Sequence, residues 1–275
     1  MTDLAQKPKT PITLSTLNKY KKTGEKFSCL TCYDASFAHL MDVAEIDTIL
    51  VGDSLGMVVQ GQSSTLPVTV ADMVYHTANV ARGNGHALIM TDLPFMSYAT
   101  LADAISSSRA VMQAGANMVK LEGGSELAQI VQTLANNGVP TCVHLGLTPQ
   151  SVNVFGGYKV QGKTESQTAK LLSDCEILVG AGASMILLEC VPSALAKQVT
   201  ERFDVPVIGI GAGVDTDGQV LVMHDMLGVY TRKPAKFVKD FLSDASNETG
   251  DIVGAFKNFH QAVKDKAFPT VAHSF

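Results

Sequence analysis

AsnMetValLysLeuGluGlyGly, residues 117–124, carries the pattern that decides the fold. Its apolar run is too short for a helix and suits a buried strand; it stops at Glu122, and the glycines that follow open a turn. The same pattern recurs elsewhere. ThrIleLeuValGly (48–52) runs into Asp53, AlaLeuIleMetThr (87–91) into Asp92, MetIleLeuLeu (185–188) into Glu189, and ThrCysVal (141–143) into His144. A buried strand has no structural use for an acid at its C-terminal tip, because desolvating an unpaired carboxylate is costly. The repetition points to one shared site, and gathered acids point to a divalent cation.

Outward from that stretch the chain alternates regularly. Strands are expected over 27–33, 48–53, 86–92, 118–122, 139–145, 185–189 and 206–210. Helices are expected over 35–45, 68–82, 100–115, 125–137, 165–181, 193–203 and 216–227. GlyValTyr (228–230) supplies a short eighth strand, with helices over 234–245 and 250–266. The strands are almost continuously apolar, as parallel strands covered on both faces are. This alternation fits an α/β fold of the (β/α)8 TIM-barrel type, typically about 250 residues long, ahead of a doubly wound sheet. No linker or low-complexity stretch divides residues 1–275, so one domain is expected. An amphipathic N-terminal segment, about 1–25, carries Leu14, Leu17 and Tyr20 and either plugs the barrel floor or packs on a neighbour; an extra C-terminal helix occupies about 250–266.

Composition narrows the partners. A formal charge of −5 with scattered Lys and Arg gives no footprint for nucleic acid. No apolar run reaches the roughly 20 residues of a membrane helix, and the first residues lack a signal-peptide pattern. Five sparse cysteines fit a reducing, cytoplasmic setting. Cys29 and Cys32 form a CxxC pair, but within a strand residues three apart face opposite sides.

In a barrel, strand C-termini converge on the active face. Asp53, Asp92, Glu122, His144 and Glu189 would share a pocket, with Lys120 pointing the same way as Glu122 by strand alternation. Oxygen donors without cysteine favour Mg²⁺ over Zn²⁺. A keto acid could chelate such an ion, which would stabilise the enolate formed on proton loss. A separate acid must then act as base; Glu189, after the most apolar strand, suits that role, and desolvation should raise its pKa. Lys120 either neutralises a substrate carboxylate or pairs with one of the acids. His144 either bonds substrate or the metal's surroundings or is structural. His76 and His224 read as helix-packing residues.

Gly157, Gly162, Lys163 and Thr164 match the spacing of a phosphate-binding GxxxxGK[ST] loop, but the preceding strand ends near Leu145, whereas such a loop joins strand directly to helix. Thr164 with Gln167 reads instead as a capping box. GlyIleGlyAlaGly (209–213) either approaches a ligand or serves close packing.

ValGlyAspSerLeuGlyMet (51–57), SerThrLeuProValThr (64–69), AspLeuProPhe (92–95), AsnMetValLysLeuGluGly (117–123), HisLeuGlyLeuThrProGln (144–150), PheGlyGlyTyrLysValGlnGly (155–162), LeuGluCysValPro (188–192) and IleGlyIleGlyAlaGly (208–213) strongly resemble the ketopantoate hydroxymethyltransferase family, across essentially the whole chain. The resemblance implies hydroxymethyl transfer from 5,10-methylenetetrahydrofolate to 3-methyl-2-oxobutanoate, giving 2-dehydropantoate for pantothenate synthesis. It implies Mg²⁺ held by Asp53, Asp92 and Glu122, the last directly or through water. Substrate contacts are implied at Asp53, Ser54, Asp92 and Lys120, and the general base at Glu189. It also implies a homodecamer of two stacked five-membered rings.

Overall fold

The computed structural model describes residues 9–230 and 233–275. Eight parallel strands close a barrel in chain order: β1 (Phe27–Thr31), β2 (Thr48–Val51), β3 (Leu88–Asp92), β4 (Met118–Glu122), β5 (Thr141–Gly146), β6 (Met185–Glu189), β7 (Val207–Ile210) and β8 (Gly218–Leu221). Closure removes the free sheet edges that an open sheet would leave, and the (β/α)8 expectation holds. Helix α1 (Leu14–Thr23) precedes β1. Between strands run α2 (Ala35–Val43), α3 (Leu55–Val58), α4 (Val70–Gly83), α5 (Leu101–Gln113), α6 (Ala128–Asn136), α7 (Val152–Phe155), α8 (Glu165–Gly180) and α9 (Ser193–Arg202). After β8 come α10 (Met223–Met226) and α11 (Ile252–Lys264).

Local chemistry starts the helices, and the capping box expected at Thr164 with Gln167 is one of three among the described residues. Thr13, Thr69 and Thr164 each build a capping box, with Thr16, Asp72 and Gln167 reaching back to the cap N–H groups. The Thr164 box accounts for GlyLysThr at 162–164 and leaves no phosphate loop there. Gly211, at φ +59°, lies where a Cβ would meet Phe237 at 2.9 Å and Phe275 at 3.1 Å, so at this glycine the close-packing alternative is the one observed.

Two expectations fail in the last third. The eighth strand is Gly218–Leu221, inside the stretch expected to be helical, and 228–230 is irregular. Four residues suffice because β1 and β7 both need a partner: Phe27 pairs with Gly218, and Ile208 with the same residue from the other side. The expected helix over 234–245 does not form. Asp240 accepts the N–H groups of Leu242 and Ser243, and Asp244 that of Ser246, so side chains take the donors a helix would use.

The N-terminal segment packs on the floor of the barrel; its residues 1–8 lie outside the described residues. Leu17 is fully buried, and Lys21 binds Asp217, just before β8, at 2.9 Å and the Thr200 carbonyl. At the C-terminal side Phe241, Phe259 and Phe268 stack edge-on with centroids 5.3–6.0 Å apart, holding α11 against the segment that follows α10.

Candidate active site

Parallel register aligns the functional side chains. Asp92 on β3 sits opposite Lys120 on β4, and Glu122 opposite His144 on β5. Since alternate residues face alternate sides, Lys120 and Glu122 point together into the barrel mouth. There Asp53, Ser54, Asp92, Lys120, Glu122, His144 and Glu189 all line one cavity of about 900 Å³. All seven expected site residues are thus brought together by the tertiary fold.

Lys120, only 3% exposed, places Nζ 2.5 Å from Asp92 Oδ1 and 3.4 Å from Glu122 Oε1. The lysine's pairing with acids is therefore realised in the fold. Burial lowers the pKa of this ammonium, but Asp92, Glu122 and Asp53 together raise it above its usual range. Glu122 is held down at about 2: burial opposes this, and Lys120 and His144 overcome it. Asp53 behaves oppositely, its carboxyl pushed well above the usual range by burial and then by the charges of Asp92 and Glu122.

His144 is enclosed between two carboxylates, Nδ1 3.2 Å from Glu122 Oε1 and Nε2 3.4 Å from Glu189 Oε2. These are ion-pair distances, but neither is aligned as a hydrogen bond. Burial and Lys120 lower its pKa, yet Glu122 and Glu189 raise it to about 9. Glu189 keeps 15% of its side chain exposed, so its desolvation is less complete than the apolar strand suggested. Among the described residues no side-chain or backbone donor hydrogen-bonds its carboxylate; His144 is its ion-pair neighbour.

The donor set fits a hard cation. Among the described residues that line the cavity, the acids Asp53, Asp92, Glu122, Glu189 and Asp225 outnumber Lys120, Lys233 and His144, and the charges of Asp92 and Glu122 add to burial in raising Asp53. Among the described residues no three acids, histidines or cysteines already converge as a metal cage. Mg²⁺ commonly takes one or two carboxylates and fills its shell with water and substrate oxygens, and the buried Asp53 and Asp92 in this mouth are donors of that kind.

Several site residues escaped the sequence. Tyr33 Oη meets Ser54 Oγ at 2.9 Å and donates to Thr31 Oγ1 at 2.9 Å, steadying the serine. Gln150 and Tyr98 bridge the acids, with Gln150 Nε2 donating to Asp53 Oδ2 at 2.8 Å and Tyr98 Oη to Gln150 Oε1 at 2.6 Å. Nothing at the strand tips announces either residue, although Gln150 closes the HisLeuGlyLeuThrProGln string. His76 packs as expected, Nδ1 lying 2.7 Å from the Tyr33 carbonyl.

Fold and site define a parallel barrel with an acid-lined, lysine-bearing active face, and the likeness to solved structures agrees on the fold. A phosphonopyruvate hydrolase, solved with oxalate and Mg²⁺, superposes with a TM-score of 0.60 at 10% identity, over 76% of this chain and 80% of its own. The sequence relatives are closer. The 3-methyl-2-oxobutanoate hydroxymethyltransferase of Psychrobacter sp. (strain PRwf-1) is 66% identical over 96% of this chain and 99% of its own length. That of Acinetobacter baumannii (strain SDF) is 62% identical over 96% and 98%. The ketopantoate hydroxymethyltransferase profile matches residues 11–271, and the chain belongs to that family of enzymes.

Proposed function

We propose that the chain transfers a hydroxymethyl group from 5,10-methylenetetrahydrofolate to 3-methyl-2-oxobutanoate, forming 2-dehydropantoate with Mg²⁺ as cofactor. The observation that carries the reading is the gathering, in one buried mouth, of surplus carboxylate, a lysine, and a partly exposed acid, Glu189, beside His144. Asp53 and Asp92 would hold the ion. Glu122 is already engaged by Lys120, His144 and the Gln150 N–H, and would serve as its outer partner. When bound, Mg²⁺ supplies Lewis-acid stabilisation of the charge that develops on the keto oxygen.

Lys120 offers its ammonium to the substrate carboxylate, sharing it with Asp92, while Ser54, braced by Tyr33, donates to a substrate oxygen. Glu189 takes the C3 proton: the C–H bond breaks, its electron pair moves toward C2, and C3 becomes the nucleophile for the folate's methylene carbon; that carbon's two C–N bonds break, water supplies its hydroxyl, and the protons lost from C3 and from water end on the two folate nitrogens, releasing tetrahydrofolate. His144, cationic beside Glu189, orients that carboxylate. A cavity of about 900 Å³ exceeds the needs of a small keto acid, and its outer wall of Met57, Tyr158, Val229 and Phe237 suits the flat ring of a folate. A second reading, a metal-dependent lyase or mutase barrel working through a reactive loop cysteine, finds no such residue, because all five cysteines are buried.

The homodecameric assembly is part of the proposal, supported by the resemblance and by exposed Tyr75 and Met96. So is a cytoplasmic setting, supported by five free thiols; no described helix is long and apolar enough to cross a membrane.

The test is exchange of the keto acid's C3 hydrogen in D₂O, with Mg²⁺ and no folate. Exchange is expected, and its absence would sink the mechanism. Glu189→Gln should slow exchange by about 10²–10⁴-fold while keto-acid binding changes little; undiminished exchange removes Glu189 from the role of base.

A further inference from the structure

We infer that Gln150 is a positioning residue for this site: its side-chain amide, locked by the Tyr98 hydroxyl, holds Asp53, while its backbone N–H holds Glu122. The inference deepens the proposed metal site and rests on it for the identity of the ion. Gln150 is 6% exposed and spends its polar groups within the site. Its backbone N–H donates to Glu122 Oε2 at 2.9 Å, and Nε2 donates to Asp53 Oδ2 at 2.8 Å and to the Leu93 carbonyl at 3.0 Å.

The orientation of the amide follows from its partners. The Leu93 carbonyl can only accept, so the atom facing it must be the NH₂ group. Tyr98 Oη accepts the Glu122 N–H at 3.2 Å, leaving its proton for Gln150 Oε1 at 2.6 Å and the Glu122 carbonyl at 3.0 Å. A single residue thus ties the loop after β2 to β4, its side-chain amide reaching Asp53 across 97 residues of sequence and its backbone N–H reaching Glu122 across 28. The amide is the neutral donor that keeps the Asp53 oxygen in place. Groups that orient metal-binding carboxylates typically change metal affinity about 10–100-fold when removed.

The experiment uses Gln150→Met, which keeps the length and volume but offers no side-chain hydrogen bond, and Tyr98→Phe, which removes only the hydroxyl. Mg²⁺ binding to the folate-free protein is followed by calorimetry, beside kcat and KM for the keto acid and the circular dichroism of each variant. The expected result is a loss of about 10–100-fold in Mg²⁺ affinity for Gln150→Met with kcat falling more than KM rises. Tyr98→Phe should give a smaller loss that does not add fully in the double variant. Wild-type Mg²⁺ affinity and kcat in a folded Gln150→Met overturn the inference. If that variant fails to fold, unchanged affinity and kcat in Tyr98→Phe overturn it instead. If the wild-type protein binds no Mg²⁺, the metal reading falls, and kcat decides positioning alone: a value within about twofold of wild type overturns it, a larger loss sustains it.

Discussion

At the scale of single residues, His144 shows how charges packed at one mouth set each other's protonation. Its ordinary value of 6.5 rises to about 9 in the fold, so the native protein binds that proton more tightly than the unfolded chain does. The stabilisation is complete below 6.5 and is lost as pH rises through about 9. In metal-free protein, raising the pH from about 6 to about 9.5 should lower the urea midpoint of the wild type more than that of His144→Gln. Equal falls would show that folding does not raise the pKa of this imidazole. The sequence marked His144, Lys120 and the acids because each ends or lies within an apolar run, a local signal. It could not mark Gln150, whose role is set by Asp53, Leu93 and Tyr98, all distant in the chain.

Among the elements, β8 is the instructive case. GlyGlnValLeu is short and sits in a stretch with helix-like apolar spacing, so periodicity alone assigns it wrongly. Barrel closure overrides that spacing because two neighbouring strands otherwise bury unpaired backbone groups. Gly218 permits the approach: a Cβ there would lie 2.5 Å from Phe27 Cε2, on a fully buried ring. Gly218→Ala should therefore cost about 1–3 kcal/mol, read from urea unfolding; an unchanged midpoint would mean that the ring moves aside freely. The failed helix over 234–245 has a related cause. Apolar spacing is present, but Asp240 and Asp244 capture the backbone N–H groups, and hydropathy patterns do not register that competition.

For the whole molecule, closure buries every thiol. Burial pushes Cys29, Cys32 and Cys175 up to about 12, far from the thiolate form that reacts. The native protein should react slowly with an aromatic disulfide reagent and release all five thiols in guanidinium; rapid native labelling would show that the barrel opens. The CxxC spacing carried no information about this, since Cys29 lies on β1 and Cys32 beyond it, each buried. By itself the sequence determined the strand–helix alternation, the acids at the strand tips and the family to which they belong, because period, composition and motif are properties of neighbouring residues. Only the tertiary structure decided which strand closes the barrel, that Lys120 is shared between Asp92 and Glu122, and that Gln150 joins Asp53 to Glu122. Those outcomes depend on distances between residues far apart in the chain, and on buried charges and donors that must find partners once water is gone.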